Sequence, residues 1–266
     1  MDMEQQLLPG VDVVRQTMAS PSALEKYRHC PRLYRFLYVD GLWQYSRSTP
    51  EQAFGTSMHA ALRDFFRLPV GQRSLERVQE LFRKAWRREG GGPAKGGKDD
   101  RARGLEALAR WYERADTTVV PHAIEVALTA RFGEVTLKGR LDRIDRVEGG
   151  LRVVDYKTGT RPVSQEAADA DLALTVYAAL VTQRLGQPVV ELVLDYVVAG
   201  REVVTVRPPE VQAARLDEVL RLAGELRADD RFAPRTGPWC ARCDLLSRCI
   251  DGQDRVAALA AQEEPV

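Results

Sequence analysis

Three charged residues, Asp142, Asp155 and Lys157, stand in two neighbouring segments with the alternating apolar pattern of β-strands. Gly149 and Gly150 between these segments are typical of a hairpin turn. If the two glycines form the loop, Asp142 lies opposite Lys157, and the two-residue period of a strand places all three charged side chains on one face. The carboxylates are then diagonal neighbours, with backbones roughly 7–8 Å apart. Two carboxylates and an ammonium group on one face are what a hard divalent cation and an activated water require.

The same residues could also be scattered charges on an ordinary surface hairpin. A register slip of one residue would move Asp142 to the opposite face of the hairpin. The spacing alone therefore leaves both a metal site and a surface hairpin open.

The text around this hairpin carries a resemblance to a known family. Asp142, followed by Asp155-Tyr156-Lys157, resembles the D…(D/E)-x-K signature of the PD-(D/E)XK nuclease superfamily. The surrounding GRLDRID and VVDYKTG are similar to the RecB-like exonuclease branch. The resemblance implies that Asp142 and Asp155 bind magnesium or manganese with help from the Tyr156 carbonyl. It also implies that Lys157 orients or deprotonates the attacking water.

Other candidate site residues lie outside the signature. His59 lies in FGTSMHAALRDFF, which resembles the G-T-x-x-H-x-x-L motif of the branch. This resemblance implies that His59 belongs to the metal site. The alternative is that His59 is an ordinary packed or surface residue, as a single histidine beside an apolar stripe more often is. Tyr177 matches the tyrosine of the branch's Q-x-x-x-Y motif, which implies a contact with substrate. Ala173 replaces the glutamine of that motif, and the alternative for Tyr177 is a core aromatic. Arg140 and Arg143 are candidates to touch phosphates, although Arg143 lies on the opposite face of its strand and could be structural.

Four cysteines form a second constellation: Cys30, Cys240, Cys243 and Cys249. In a cytosolic protein, clustered cysteines favour a metal over disulfides. Zinc and an iron–sulfur cluster both accept four thiolates, but zinc sites typically pair two C-x-x-C hooks and only one is present. The spacing resembles the iron–sulfur clasp of AddB-type and CRISPR-associated RecB-like nucleases. This resemblance implies a 4Fe–4S cluster, with structural zinc as the alternative.

Composition sets outer bounds on the protein class. The 266 residues, 44% of them hydrophobic, suit one large domain or a domain with a helical insertion. No apolar run is long enough for a membrane span, and the N-terminus lacks the features of a signal peptide, so we expect a cytoplasmic protein. With a net charge of +1, the protein as a whole exerts no strong electrostatic attraction on nucleic acid. The loop GGGPAKGGKDD nearly matches a phosphate-binding loop, but it lacks the hydroxyl residue that would hold magnesium and follows no strand.

The rest of the chain predicts alternating helices and strands. A capping box at Ser22 and Glu25 starts a short helix, and Thr49 with Gln52 starts a second. Further helices are predicted over 75–89, 105–114, 171–185 and 209–228, and strands over 119–132, 135–147, 151–156, 191–198 and 201–206.

Together these patterns predict an α/β, restriction-endonuclease-like mixed sheet flanked by helices. We expect one nuclease domain over 1–266, with a catalytic core at 117–207, a helical insertion at 70–115 and an iron–sulfur clasp joining 20–48 to 232–250. The expected activity is Mg²⁺- or Mn²⁺-dependent DNA cleavage by an exonuclease that acts on single-stranded ends, in repair, recombination or CRISPR adaptation. The expected partners are DNA and a helicase or CRISPR-adaptation protein, with no membrane. The alternatives are a non-catalytic DNA-end-binding iron–sulfur module and a site-specific endonuclease.

Overall fold

The computed structural model describes residues 18–46, 49–88 and 98–263. The chain divides into two compact units. The first is formed by the described parts of Met1–Arg47, Arg131–Leu137 and Asp217–Val266, and the second by those of Ser48–Ala130 and Lys138–Leu216. Within the described ranges, no helix combines the length and the apolar character that a membrane span needs.

Six strands and nine α-helices lie in the described part of the chain. The strands are β1 (Met18–Ala19), β2 (Ala123–Phe132), β3 (Val135–Val147), β4 (Gly150–Lys157), β5 (Val189–Tyr196) and β6 (Arg201–Thr205). The helices are α1 (Pro21–His29), α2 (Pro31–Tyr34), α3 (Pro50–Phe66), α4 (Leu75–Arg88), α5 (Lys98–Arg114), α6 (Gln165–Asp169), α7 (Leu172–Leu185), α8 (Pro209–Ala228) and α9 (Ile250–Glu263).

Two helix starts show how local sequence sets the boundaries. The capping box at Thr49 is confirmed, since its hydroxyl accepts from the Gln52 N–H at 3.3 Å while the Gln52 side chain accepts from the Thr49 N–H at 3.1 Å. The capping box expected at Ser22 is wrong. Helix α1 is capped by Ser20, and Pro21 takes the first helical position, where its fixed φ already suits a helix.

The sheet of the second unit is mixed, as predicted. β3 pairs antiparallel with β4, β4 pairs parallel with β5, and β5 pairs antiparallel with β6, while β2 lies beside β3. In the first unit, β1 pairs parallel with Thr136 and Leu137 at the start of β3.

The turn of the β3–β4 hairpin differs from the expectation. Val147 pairs with Gly150, so the loop consists of Glu148 and Gly149 rather than the two glycines. Of the two loop residues, only Gly149 has a positive φ, at 81°, as in a type II turn. Gly150 serves another purpose, because a Cβ atom at that position would overlap the Pro188 carbonyl oxygen.

This shift does not change the face of the hairpin that carries Asp142, Asp155 and Lys157. The register moves by two residues, and the last pair of the ladder is Arg143 with Val154, so that Asp155 rather than Lys157 is next in line with Asp142. Because two is an even number, every side chain stays on its expected face. The error in the turn therefore does not change which residues share a face.

Apolar cores cover both faces of β4. One face, with Val154 and Tyr156, packs against α3, α4 and α5, and the other, with Val153, packs against α7. Phe82 and Trp111, from the predicted insertion at 70–115, are fully buried in the first of these cores. That segment is therefore part of the core of the second unit.

The first unit joins two segments far apart in sequence. The Tyr27 hydroxyl donates to Asp229 Oδ2 at 2.9 Å, and Arg32 Nε donates to the Phe232 carbonyl at 3.1 Å. The Tyr34 ring stacks on the Phe232 ring with centroids 5.9 Å apart. These contacts hold residues near Cys30 to the segment that leads to the other cysteines.

Candidate active site

Asp142 connects the hairpin to helix α3. Its Oδ1 lies 3.0 Å from His59 Nδ1, and its Oδ2 accepts the Tyr156 backbone N–H at 2.8 Å. The regular strand pairing ends one step earlier, at Arg143 and Val154. The carboxylate of Asp142 thus takes a backbone donor at the point where the two strands separate.

Asp155 and Lys157 form an ion pair on the same face. Lys157 Nζ lies 2.7 Å from Asp155 Oδ2, and the lysine side chain is 36% exposed whereas that of Asp155 is 11% exposed. Burial raises the pKa of Asp155 to about 6; the charge of Lys157 opposes this rise, and the charge of Asp142 adds to it. The negative charge of Asp155 is therefore disfavoured in the metal-free fold, and a nearby cation would stabilise it.

His59 meets Asp142 from α3, and its ring lies 6.1 Å from the Tyr156 ring, centroid to centroid. Burial lowers the pKa of His59, but the hydrogen bond and charge of Asp142 outweigh burial, so its pKa lies above the ordinary value. Gly55, one turn earlier on α3, allows a close approach to the end of β4, because a Cβ there would lie 3.3 Å from Thr158 Oγ1. The small residue four positions before the histidine thus sets the helix close to the hairpin.

Glu125 is a candidate metal ligand that the sequence analysis missed. His59, Glu125 and Asp142 offer one ligand atom each, and these atoms lie within 4.8 Å of one another. Glu125 has a backbone φ of +50°, a region that costs a residue other than glycine on the order of 1–3 kcal/mol. Its carboxylate also lies 2.5 Å from Arg140 Nε. The signal in the sequence was a single acid in the apolar run AIEVAL of β2.

Arg143 and the Tyr156 side chain lie on the opposite face. Arg143 donates to the Tyr156 hydroxyl at 2.9 Å and to Asp145 Oδ2 at 3.0 Å, and its guanidinium lies 4.2 Å from the centroid of the Phe66 ring. Its side chain is 11% exposed. Of the two alternatives for Arg143, this geometry favours the structural one, in which Arg143 packs against the side of β4 that carries Tyr156.

The other candidate substrate contacts differ in exposure. Arg140 is 66% exposed and pairs with Glu125. Tyr177 is partly buried against the α7 core, where a Cβ at Gly139 would contact its ring, and Ala173 is buried on the same helix. Contacts of Arg140 and Tyr177 with substrate stay predictions.

A cleft of about 730 Å³ opens beside the His59, Glu125 and Asp142 group. Its lining includes His59, Glu125, Arg140, Asp142 and Thr158. A volume of this size lies in the range of sites that take small-molecule ligands. The arrangement therefore combines candidate cation ligands with room for part of a substrate.

Comparison with known proteins agrees with this geometry. A family model for the PD-(D/E)XK nuclease superfamily matches residues 18–250. The chain belongs to the PD-(D/E)XK nuclease superfamily. The nucleases of this superfamily use divalent metals, and the His59, Glu125 and Asp142 group could bind one.

Individual relatives of this PD-(D/E)XK protein come from phages. The gene 69 protein of Mycobacterium phage D29 is 25% identical over 275 residues, covering 89% of this chain and 97% of that protein. The gene 69 protein of phage L5 is 25% identical over 238 residues, covering 72% and 79%. A crystal structure from Eubacterium rectale, of a protein provisionally named an exonuclease, aligns with a TM-score of 0.52 at 12% identity over 85% of this chain and 88% of that one. At this identity the alignment shows a shared fold.

The four predicted cysteine ligands all line one cavity of about 220 Å³ in the first unit. Burial raises the pKa of the Cys243 thiol, the Leu245 N–H opposes this rise, and the neighbouring cysteines add to it. The buried Gly237 N–H donates to Cys240 Sγ at 3.5 Å. All four cysteines belong to the described residues, and no three of their sulfurs meet the 4.8 Å spacing seen in the His59 group. The structure thus brings the four cysteines to one cavity.

Proposed function

We propose that this chain is a Mg²⁺- or Mn²⁺-dependent deoxyribonuclease of the RecB-like branch, acting as an exonuclease on single-stranded DNA ends. The observation that carries the proposal is the pair of His59 and Asp142 in the lining of one cleft, with the Asp155–Lys157 ion pair close enough for Asp155 to interact with both. Membership of the superfamily supports nuclease chemistry. The motifs GTSMH, GRLDRID and VVDYKTG support the RecB-like branch.

The donor set suits a hard divalent cation. Asp142, Asp155, the Tyr156 carbonyl and His59 would hold it, and Glu125 is a further ligand within reach of His59 and Asp142. Carboxylate and carbonyl oxygens are the ligands that Mg²⁺ and Mn²⁺ prefer. When bound, the cation would polarise the phosphate and lower the pKa of a bound water.

Lys157 has a separate role in this proposal. An ammonium group has three donors and no acceptor, so Lys157 cannot be a metal ligand. Asp155, one of the proposed metal ligands, holds the Lys157 Nζ at 2.7 Å. From there Lys157 would orient the attacking water and take part in moving its proton.

We propose a 4Fe–4S cluster in the cysteine cavity, with structural zinc as the alternative. All four cysteines line this cavity, and either group accepts four thiolates. The single C-x-x-C hook, with Cys249 and the distant Cys30, resembles the iron–sulfur clasp, whereas zinc sites typically pair two such hooks. The cluster would join residues 20–48 to 232–250 as a clasp within one nuclease domain. A cytoplasmic location agrees with four cysteines that form no disulfide.

The test uses three forms of one DNA sequence. The full-length protein is incubated with end-labelled single-stranded, end-labelled double-stranded and circular single-stranded DNA, in Mg²⁺, Mn²⁺ or EDTA. We expect metal-dependent digestion of the linear single strand from its ends, with the circle intact. Rapid cutting of the circle would instead indicate an endonuclease.

The non-catalytic end-binding module is kept as a second candidate because Ala173 replaces the glutamine of the branch motif. The buried methyl group of Ala173 cannot supply the hydrogen bond that an amide would. DNA binding without cleavage in either metal would favour this candidate. In both cases we propose DNA ends as the ligand and a helicase or CRISPR-adaptation protein as the partner.

A further inference from the structure

The cysteine cavity of the first unit is lined in part by Lys26, His29, Trp239 and Arg242, of which Lys26 is half-buried and the others are exposed. The exposed residues Tyr45 and Arg248 directly adjoin two further lining residues, Ser46 and Cys249, in sequence. We call the following residues the rim: Lys26, His29, Tyr45, Trp239, Arg242 and Arg248. Trp239 is 45% exposed and Tyr45 is 43% exposed, although both are large aromatic residues. The cysteines of the proposed clasp explain the cavity but do not explain why aromatic rings should stand exposed beside it.

The Trp239 ring is fixed in its exposed position. Its Nε1 donates to the Arg235 carbonyl at 3.2 Å. The ring lies against Gly237 so closely that a Cβ at Gly237 would overlap it. The His29 ring lies 5.5 Å from the Trp239 ring, centroid to centroid. The protein therefore holds one side of the Trp239 ring in place. A planar group that stacks on the ring does not have to immobilise this side chain, which saves the entropy cost of ordering it.

A second ring of the rim is paired with a cation. The Arg248 guanidinium lies 4.4 Å from the centroid of the Tyr45 ring. Basic residues also dominate the cavity lining, where Lys26, Arg32, Arg235 and Arg242 face a single carboxylate, Asp244. Within the described part of the chain, neither Lys26 nor Arg242 forms an ion pair, whereas Arg32 and Arg35 do.

Exposed rings interleaved with cations fit single-stranded nucleic acid better than a protein partner. Bases stack on aromatic side chains whatever their sequence, while the phosphates between them need positive charge. The centre of a protein–protein interface, in contrast, is depleted in charged residues. A bound cluster would add negative charge inside the cavity, but it would not need Trp239 and Tyr45 to be exposed.

We propose that the rim is a second binding surface for single-stranded nucleic acid, separate from the metal site. Trp239 and Tyr45 stack on bases, and Lys26, Arg242 and Arg248 contact phosphates. This inference rests on the proposed function, since it names a surface for the substrate of that nuclease. It requires no metal at the active site.

The test is fluorescence anisotropy of a labelled 20-nucleotide oligo(dT) with the full-length protein, in EDTA and at several salt concentrations. Because stacking contributes on the order of five-fold or more in affinity per base, Trp239→Ala and Tyr45→Ala should each weaken binding by at least about that factor. Trp239→Phe keeps a ring and should retain most of the affinity. The double variant Lys26→Ala/Arg242→Ala should reduce the slope of log K against log salt by about 0.7 for each lost phosphate contact.

The controls separate the rim from general effects. Val120→Ala, at a residue 73% exposed in the second unit, should bind like the wild type. Gly237→Ala should mimic Trp239→Ala, because it displaces the ring without removing it. If Trp239→Ala loses its fold, as judged by circular dichroism, Tyr45→Ala and the double lysine–arginine variant decide the question.

Two results would overturn the proposal. One is wild-type affinity and salt slope in folded Tyr45→Ala and Lys26→Ala/Arg242→Ala proteins. The other is equal competition by polyglutamate, which would indicate a general anion surface for acidic proteins. A protein that cleaves no DNA but loses oligo(dT) binding on these substitutions would refute the proposed function and leave the rim proposal standing.

Discussion

Replacing Asp155 by asparagine should make the metal-free protein more stable while destroying its proposed activity. Asp155 is 7% exposed, and its pKa rises from the usual 3.8 to about 6 because of burial, against the opposing charge of Lys157. Each unit of pKa corresponds to about 1.4 kcal/mol, so keeping this carboxylate ionised costs the fold on the order of 3 kcal/mol at pH 8. Asp155→Asn keeps the shape of the side chain and removes that cost.

The pH dependence gives the prediction its direction. The carboxyl group binds its proton more tightly in the folded than in the unfolded chain, so it lowers wild-type stability as pH rises from about 4 to about 6. The gap between Asp155→Asn and wild type should therefore be largest above pH 6 and should shrink toward zero near pH 4. For a chain of this size, about 3 kcal/mol corresponds to a melting temperature higher by roughly 6–12 °C.

The assay is thermal unfolding followed by circular dichroism in EDTA, at pH 5 and pH 8, for both proteins. Addition of Mn²⁺ should raise the melting temperature of the wild type, because only the folded state holds the site, and should raise that of Asp155→Asn much less. The reasoning would be refuted if Asp155→Asn melted below the wild type at pH 8 in EDTA. A gap of equal size at pH 5 and pH 8 would also refute it.

Three further predictions concern the other parts of the site. Lys157→Ala should abolish turnover and leave metal affinity near normal in a calorimetric titration; loss of both together would make Lys157 structural. Arg143→Met should destabilise the fold by about 3 kcal/mol or more in urea unfolding, because it leaves the Asp145 charge buried without its partner. A fully stable variant with weakened DNA binding would instead indicate that Arg143 contacts phosphates. Cys30→Ser should remove a cross-link that stabilises the fold by about 5 kcal/mol, and it should yield insoluble or protease-sensitive protein. The anaerobic wild type should be brown with iron in excess of zinc. A colourless protein with one zinc per chain would contradict the cluster.

The sequence predicted which face of the hairpin carries the site better than it predicted the turn. Alternation placed Asp142, Asp155 and Lys157 on one face, and that placement survives a register error of two residues because the period of a strand is two. The turn was wrong because Gly150 is required by the nearby Pro188 carbonyl, a contact between residues distant in sequence. Local patterns cannot contain such a contact.

Glu125 and Arg143 show the same limit at the site. Glu125, which meets His59 and Asp142, has a backbone φ of +50°, which no propensity for β-strand would indicate. Arg143 was correctly placed on the far face, but its burial depends on Phe66 of α3 and Asp145, which the spacing in β3 alone does not bring together. The capping box at Thr49, in contrast, depends on residues within one turn and was predicted correctly.

The most direct test of the proposed nuclease site is the rate of Mn²⁺-dependent nucleotide release from end-labelled single-stranded DNA, measured side by side for the wild type and Asp155→Asn. Because the variant is expected to be the more stable protein, its loss of activity could not be attributed to unfolding. The proposed site predicts metal-dependent release by the wild type and a rate lower by several orders of magnitude for Asp155→Asn. Release by Asp155→Asn at the wild-type rate would contradict it, and so would a wild type that releases no nucleotides in either metal.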